Sequence, residues 1–372
     1  MKVTTIGLDI AKRVFQVHGV DDQGVVALRR RLQRDEVAPF FANLPACKIG
    51  MEACGGAHYW ARRLATLGHT VRLIAPQFVK PYVKSNKNDA NDAEAICESV
   101  SRPSMRFVPA KSVEQQDIQC LHRVRSRLVS ARTQLANQVR GLLAEYGIVL
   151  PQQIHQLRRG LPLILEEDNE LTPFTRRLLA SLYDELVEFD QKLASIEEQV
   201  RAAHRASESS QRIAEVEGIG PLTATALVSA LSDGKAFQNG RQFAAWLGLV
   251  PRQHSSGGKP RLLGISKRGD AYLRTLLIHG ARSVVYRAAA KADQRSRWIA
   301  DKQLRLGTSK ACVAVANKNA RIVWALIAQR VVPEGALARG PSSNEMLESP
   351  MMAQWLRPAS SEPAGGRAVK GR

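Results

Sequence analysis

The chain has 372 residues, enough for two or three domains of ordinary size, which excludes a peptide hormone, a disulfide-stapled toxin and a single small fold. Apolar residues make up 44% and charged residues 24%, as in globular proteins, so wholesale disorder is excluded. The formal net charge of +20 favours a polyanionic partner, with nucleic acid first, over a merely basic soluble protein.

Five segments near the N-terminus alternate between apolar and polar residues or are rich in β-branched ones, which predicts strands. They cover residues 3 to 10, 14 to 20, 25 to 32, 47 to 53 and 70 to 75. A helical pattern over residues 57 to 67 separates the last two strands. Three strands in succession followed by helix-linked strands is the order of a ribonuclease-H-like α/β domain with a mixed sheet, although several other mixed-sheet folds share it.

The middle of the chain is helical. One apolar stripe runs through residues 112 to 146. A second keeps a strict three-four spacing, the heptad pattern of a coiled coil, at Leu179, Leu182, Leu186, Phe189, Leu193, Ile196 and Val200. Pro151, Pro162 and Pro173 lie between the stripes and exclude one continuous rod. We predict a long helical hairpin or dimerisation arm; the alternative is a pair of ordinary bundle helices.

Helical patterns continue beyond residue 211, at 240 to 248, 270 to 290 and 311 to 331. After Val332 the sequence is enriched in Pro, Gly, Ser and Ala, which is typical of a disordered tail. These changes divide the chain into an α/β domain over 1–110, a helical hairpin or coiled-coil region over 111–208, a mostly helical domain over 209–332 and a tail over 333–372.

Acidic residues end two of the predicted strands: Asp9 the first and Glu52 the fourth. Burying a carboxylate there is costly unless it binds a cation or a partner. Asp89 and Asp92 share one face at the start of a predicted helix. If all four converged they would repel one another, and two divalent cations, Mg²⁺ or Mn²⁺, would neutralise them and activate a phosphodiester. Taken singly, Asp9 could be a turn residue, Asp89 a helix cap and Asp92 a partner of the helix dipole.

A second candidate site is a loop with the sequence P-R-Q-H-S-S-G-G-K-P-R over residues 251 to 261. Its paired glycines let the backbone approach a bulky anion, and one of its two serines could attack phosphorus. Basic residues that could pair with phosphates are Arg252, Lys259, Arg261, Lys267 and Arg268. The alternative is a flexible Ser/Gly loop on a basic surface, because neither a G-x-S-x-G elbow nor an adjacent His/Asp pair marks an activated serine.

The turn that contains Gly218 and Gly220 joins two helical patterns and resembles a helix-hairpin-helix. In that motif the glycines let backbone N–H groups meet a phosphate at a helix N-terminus. The alternative is an ordinary turn between helices that needs no ligand.

The cysteines indicate a reducing compartment, because five of them are scattered without a C-x-x-C pair. No signal peptide is expected, since Asp9 and Lys12 interrupt the first apolar segment. The most apolar later stretch, 311 to 332, contains Lys318 and Arg321 among other polar residues. We therefore expect a cytoplasmic protein with no membrane span.

In this order the motifs resemble the bacterial transposases of the insertion sequence 110 family, which join a RuvC-like DEDD domain to a serine-bearing transposase domain. The match runs from G-L-D-I-A-K through M-E-A-C-G-G and N-K-N-D-A-N-D-A-E-A to E-G-I-G-P-L-T-A, F-A-A-W-L-G-L-V-P-R and S-S-G-G-K-P-R-L-L-G-I-S-K-R-G-D-A-Y-L-R. The resemblance implies a RuvC-like domain over 1–110 and a transposase domain over 209–332.

The resemblance also implies roles for single residues. Asp9, Glu52, Asp89 and Asp92 would be the metal-binding carboxylates and Ser256 the nucleophile, with Ser255 at a position where the family varies. The implied activity is DNA strand cleavage and exchange through a phosphoserine intermediate.

The partners implied by the resemblance are donor and target DNA and a noncoding guide RNA, the bridge RNA. It also implies a homo-oligomer, a dimer or tetramer, in which the DEDD domain of one subunit meets the serine of another, in the bacterial cytoplasm at the nucleoid. Three other functions remain open from the residues: a metal-dependent junction nuclease that uses water, a non-catalytic nucleic-acid-binding protein, and an actin-like sugar kinase.

Overall fold

The structure, a computed structural model, describes residues 2–84, 88–257, 259 and 261–329, and divides into two compact units. The first unit comprises the described residues of Met1–Gln211 together with Ala224–Gln238. The second comprises those of Arg212–Thr223 and Asn239–Arg372. The predicted tail, 333–372, lies outside the described residues.

The first unit contains a six-stranded mixed sheet with the order β3-β2-β1-β4-β5-β6. Its strands are β1 (Thr5–Ile10), β2 (Val14–Val20), β3 (Val26–Gln33), β4 (Lys48–Glu52), β5 (Thr70–Ile74) and β6 (Phe107–Val108). β1, β2 and β3 form an antiparallel meander, β4 and β5 run parallel to β1, and β6 is antiparallel to β5. The five predicted strands are confirmed, whereas β6 is too short to show a periodic pattern.

Helices cover both faces of this sheet: α1 (Val37–Ala42), α2 (Ala57–Thr66), the short α3 (Pro76–Val79) with a 3-10 turn over Lys80–Tyr82, and α4 (Asp89–Val100). Successive strand residues point to opposite faces. Ile6 and Leu8 point into an apolar core that includes Phe41 and Trp60 from α1 and α2. Gly7 points to the opposite face, which α4 covers.

The first unit also contains three longer helices: α5 (Val113–Ala144), α6 (Ile154–Glu166) and α7 (Pro173–Arg205). α5 and α7 pack against each other, and α6 packs on α7. Four members of the predicted heptad stripe are buried within the chain: Leu179, Leu186, Leu193 and Val200. Arg125 pairs with Glu197 at 2.6 Å across the two long helices. Pro162 lies between the two stripes, as predicted, and is accommodated inside α6.

Helices α8 (Glu208–Ala214) and α9 (Pro221–Leu231) each contribute residues to both units. The second unit continues with α10 (Gly240–Trp246), the hairpin of β7 (Pro251–Gln253) and β8 (Leu262–Ile265), then α11 (Ala271–Ala288), α12 (Gln294–Leu306) and α13 (Thr308–Gln329). α10, α11 and α12 all pack against α13. The region is therefore mostly helical, as predicted.

Thr308–Ala328 is, among the described residues, the one helical segment long and apolar enough to cross a membrane by length and composition. Half of its most apolar window is buried in the structure. Val315, Ala316 and Val323 are buried against the other helices of the second unit. These are the surroundings of a core helix rather than of a lipid-facing one.

Candidate active site

Asp9 and Glu52 lie side by side at the carboxyl ends of two neighbouring strands. β1 and β4 pair in parallel so that Gly7 faces Gly50 and Leu8 faces Met51, and Asp9 and Glu52 each follow directly. Side chains alternate along a strand, so both carboxylates point to the face that α4 covers, two residues beyond the glycines. The sheet register therefore brings together two residues that are far apart in sequence.

The other two carboxylates come from the first turn of α4. Asn88 caps this helix by accepting a hydrogen bond from the Asn91 backbone N–H at 2.8 Å. Asp89 and Asp92 lie in the first turn, where negative charge interacts favourably with the helix dipole. One turn later the helix crosses β1, since a Cβ on Gly7 would lie 2.0 Å from the Ala93 carbonyl oxygen. α4 thus points its N-terminus toward the end of the sheet that carries Asp9.

The pKa of Asp9 reflects its burial and the nearby charges of the other three carboxylates. Burial, with smaller contributions from the charges of Asp89, Asp92 and Glu52, raises the pKa of Asp9 from 3.8 to about 6. The four residues, named here the acidic cluster, are therefore close enough to interact. Within the described ranges, no three His, Cys, Asp or Glu side chains are arranged closely enough to hold a metal ion as they stand. The donor set fits a hard divalent cation, because all four side chains offer carboxylate oxygens to a self-repelling site.

The predicted serine lies near the tip of the β7–β8 hairpin, named here the serine hairpin (residues 251 to 265). Pro251 pairs with Ile265 and Gln253 with Leu262. Beyond the strands, the His254 N–H donates to the Arg261 carbonyl oxygen at 2.9 Å. The Lys259 N–H donates to the Ser256 carbonyl oxygen at 3.1 Å, so Ser256 lies close to the turn. Gly258 and Pro260 are outside the described residues.

The two adjacent serines differ in what their hydroxyl groups contact. Ser255 Oγ accepts hydrogen bonds from Gln253 Nε2 at 2.9 Å and from the Arg261 N–H at 3.2 Å. It therefore closes the hairpin. Ser256 is exposed, and its Oγ has no hydrogen-bond partner among the residues that the structure describes. Of the two, Ser256 has the hydroxyl that is available to a substrate.

The predicted phosphate-binding side chains, Arg252, Lys259, Arg261, Lys267 and Arg268, are all exposed. The first three lie on the serine hairpin and the last two in the loop that follows it. None of the ion pairs found among the described residues involves them. Gly248 allows this loop to pack tightly, since a Cβ there would lie 2.3 Å from the Arg268 carbonyl oxygen. The structure thus leaves this positive charge open to solvent.

Close packing accounts for one of the two glycines in the predicted phosphate-binding turn. Gly218 has a φ of +88°, and a Cβ on it would lie 2.9 Å from the Gly280 carbonyl oxygen of α11. Gly220 is different, because a Cβ there would meet nothing within 4 Å. It stands just before Pro221, where α9 begins. A role in phosphate binding stays a prediction for both.

Sequence reasoning missed Glu94, which the structure places at the centre of a charged network beside the acidic cluster. Glu94 lies 3.9 Å from His18 Nδ1 and 3.5 Å from both Arg29 and Lys84. Burial lowers the pKa of His18, although Glu94 opposes this effect. The pattern of β2 gives one signal for a polar partner, because His18 is a polar residue beside the apolar Val17.

Comparison with known proteins gives consistent matches over both units. A DEDD transposase model of the IS110 group matches residues 6–148, and the model described as transposase IS116/IS110/IS902 family matches residues 210–297. A probable family 20 transposase from Pseudomonas aeruginosa is 56% identical over 88% of this chain and 98% of its own length.

Two further relatives are transposases of named elements. The transposase for insertion sequence element IS1111A of Coxiella burnetii is 48% identical over 88% of this chain and 90% of its own length. The transposase for IS1328 of Yersinia enterocolitica is 42% identical over 89% of this chain and 98% of its own length. The resemblance seen in the motifs is confirmed, and the chain belongs to the IS110/IS116/IS902 family of insertion-sequence transposases, enzymes that cut and recombine DNA.

Proposed function

We propose that this transposase cuts and rejoins DNA through a covalent link between Ser256 and a strand end, with divalent cations held by Asp9, Glu52, Asp89 and Asp92. The observation that carries the proposal is the convergence of these carboxylates, since three of them raise the pKa of the fourth. The sheet order, with carboxylates at the ends of β1 and β4, supports a ribonuclease-H-like, RuvC-like fold for this region.

The chemistry is divided between the two sets of residues. When bound, Mg²⁺ or Mn²⁺ would polarise the scissile phosphate and neutralise the charge that develops on the leaving oxygen. Ser256 Oγ attacks phosphorus, one P–O ester bond breaks, and the released strand end leaves as a hydroxyl that carries the serine's proton. A hydroxyl from another strand then reverses the step and frees Ser256. The number of phosphoester bonds is unchanged, so no ATP is needed.

We also propose the partners that the family resemblance implies: donor and target DNA, a noncoding guide RNA and further copies of this chain in a dimer or tetramer. The net charge of +20 supports polyanionic partners at the bacterial nucleoid. The heptad stripe buries every second member within the chain, while Leu178 and Phe174 near the start of α7 stay exposed and are available for a coiled-coil contact between subunits.

The test is a matched pair of serine variants with end-labelled element DNA, Mg²⁺ and the co-purified RNA. Ser256→Ala should bind DNA as the wild type does but give no protein–DNA adduct on a denaturing gel. Ser255→Ala should still form the adduct. An adduct that persists in Ser256→Ala and disappears in Ser255→Ala would contradict the proposal and identify Ser255 as the nucleophile. Cutting that needs Asp9 but neither serine would instead identify a nuclease that uses water.

A further inference from the structure

An open groove lies at one edge of the sheet in the first unit and has no role in the reaction described above. Its lining includes Arg13, Arg34, Asp35, Tyr59, Trp60 and Arg63. We name it the arginine groove. Three guanidinium groups face a single carboxylate there, so the groove carries a net positive charge.

The strand register places the arginine groove at the same sheet edge as Asp9. Arg13 lies in the turn that joins β1 to β2, immediately beyond the pair formed by Ile10 and Phe15. The Arg34 N–H donates to the Arg13 carbonyl oxygen at 2.9 Å, which fixes the end of β3 beside that turn. Tyr59 and Arg63 come from α2, which follows Glu52 after a short loop. α2 and α4 cover opposite faces of the sheet. The groove and the acidic cluster therefore lie at the same end of β1, one on each face of the sheet.

The charges of the arginine groove are available to a ligand. Arg13 and Arg63 are exposed, and neither forms an ion pair within the described parts of the chain. Arg34 lies over the Trp60 ring, with 5.4 Å from its guanidinium carbon to the ring centroid. A guanidinium with free N–H groups is suited to bidentate contact with a phosphate. A continuous strand that bridges Arg13 and Arg63 would meet both.

An aromatic side chain stands among these arginines. The side chain of Tyr59 is 50% exposed, and its ring lies 5.2 Å from that of Trp60 in an edge-to-face contact. Trp60 in turn packs on Phe15 at 5.1 Å. The exposed ring is therefore held by the core, which lowers the entropy cost of stacking a ligand on it. Beneath it, Trp60 Nε1 is buried and has no hydrogen-bond partner in the described residues.

We propose that the arginine groove binds an unpaired nucleotide of a DNA or RNA strand, with its base stacked on Tyr59 and its flanking phosphates on Arg13 and Arg63. A base inside a duplex has both faces covered by its neighbours, whereas an unpaired base offers a free face. The inference rests on the proposed function in one respect: a strand held here would run past the edge where the acidic cluster lies. The ligand of the groove would then be the unpaired part of a nucleic-acid strand close to the site of cleavage.

The experiment is fluorescence anisotropy with the full chain in EDTA and a labelled twelve-nucleotide oligomer as single-stranded DNA, single-stranded RNA or duplex DNA. Tyr59→Leu should weaken binding of a single strand about tenfold and leave duplex binding unchanged, while Tyr59→Phe should bind as the wild type does. The preferred single strand, DNA or RNA, identifies the source of the nucleotide. Thermal melts of each variant show whether the fold is intact.

A second variant tests the charges. Arg13→Ala combined with Arg63→Ala should weaken single-strand binding more than Arg127→Ala combined with Arg177→Ala, which removes the same charge from exposed positions on α5 and α7. Equal losses in the two double variants, or Tyr59→Leu that binds every oligomer as the wild type does, would overturn the proposal. The assay measures binding alone and is done in EDTA, where no strand is cut, so its outcome is independent of the proposed reaction.

Discussion

Gly7 and Gly50 face each other across the parallel pair of β1 and β4, and α4 lies directly on both of them. A Cβ on Gly7 would lie 2.0 Å from the Ala93 carbonyl oxygen, and one on Gly50 would lie 2.8 Å from Val100 Cβ. The absence of side chains at this one pair sets how closely the helix approaches the sheet. It thereby sets the separation between the carboxylates of α4 and those at the strand ends.

Gly7→Ala should destabilise the first unit, because the new methyl group would meet the α4 backbone and force the helix away. We expect a loss of about 1–3 kcal/mol in the free energy of unfolding, as for an overpacked core. Gly141→Ala is the control, since a Cβ at that position in α5 would meet nothing within 4 Å and alanine favours a helix. Urea unfolding of both variants measures the difference. Equal stability of Gly7→Ala and the wild type would show that α4 does not depend on this contact.

Ser255→Ala should loosen the serine hairpin, because two donors lose their acceptor at Ser255 Oγ. We expect the backbone N–H of Arg261 to exchange with solvent several-fold faster in this variant. Ser256→Ala should leave that rate unchanged, since Ser256 Oγ has no partner in the described residues. Hydrogen–deuterium exchange of the hairpin peptide measures both. If the two variants exchange alike, the hydroxyl groups do not have separate roles.

The first unit should lose stability as the pH falls from about 6.5 toward 4, because His122 is buried in its neutral form. Burial, with a smaller contribution from Arg125, lowers the pKa of His122 to about 4, and its Nε2 is hydrogen-bonded to Thr225 Oγ1 at 3.0 Å. In the unfolded chain His122 is protonated below about pH 6.5, whereas in the folded chain it stays neutral down to about pH 4. The penalty begins below that pH and is complete below about pH 4, at roughly 3 kcal/mol.

His122→Gln should therefore show a smaller fall in melting temperature between pH 7.5 and pH 5 than the wild type shows. Burial also lowers the pKa of His58 to about 4, so some acid sensitivity should remain in the variant. Scanning calorimetry at the two pH values measures the effect. An identical fall in variant and wild type would mean that His122 does not stay neutral in the fold.

Asp9→Asn should stabilise the first unit at pH 8 in the absence of divalent cations. Burial and the neighbouring carboxylates raise the pKa of Asp9 from 3.8 to about 6. The folded chain therefore binds the proton more tightly, and stability falls as the pH rises through this window. Because Asp9 is partly exposed, the gain from Asn after solvent screening is on the order of 1 kcal/mol.

Added Mg²⁺ tests whether a cation binds at the acidic cluster or elsewhere on the folded protein. It should raise the melting temperature of the wild type at pH 8 and leave that of Asp9→Asn nearly unchanged, because a cation that binds only the folded state stabilises it. Thermal melts with and without the ion measure both. Equal shifts in the two proteins would place the cation away from the acidic cluster.

The sequence predicts those elements that have a regular short-range pattern of apolar and polar residues. Alternation identifies β1 to β5, and a carboxylate after an apolar strand marks Asp9 and Glu52. It does not predict α1, whose six residues include Pro39 and show no helical period. Pro151, Pro162 and Pro173 exclude one continuous rod, and α5 and α7 are indeed separate helices, but the sequence does not predict that Pro162 is accommodated inside α6.

Long-range contacts are beyond the reach of such patterns. Glu94 looks like a solvated helix residue until the fold places Arg29 and Lys84 beside it. The difference between Ser255 and Ser256 depends on hydrogen bonds that form only when β7 and β8 pair. Gly7 and Gly50 are likewise unremarkable alone, because only the strand register makes them neighbours.

The proposed ligands for the cations are distributed along the chain so that the last two are synthesised only after most of the sheet. A ribosome that stops before Asp89 releases a polypeptide with β1 to β5 and only half of the acidic side chains. Such a polypeptide retains Asp9 and Glu52 but lacks Asp89 and Asp92, so it cannot offer the full set of proposed ligands.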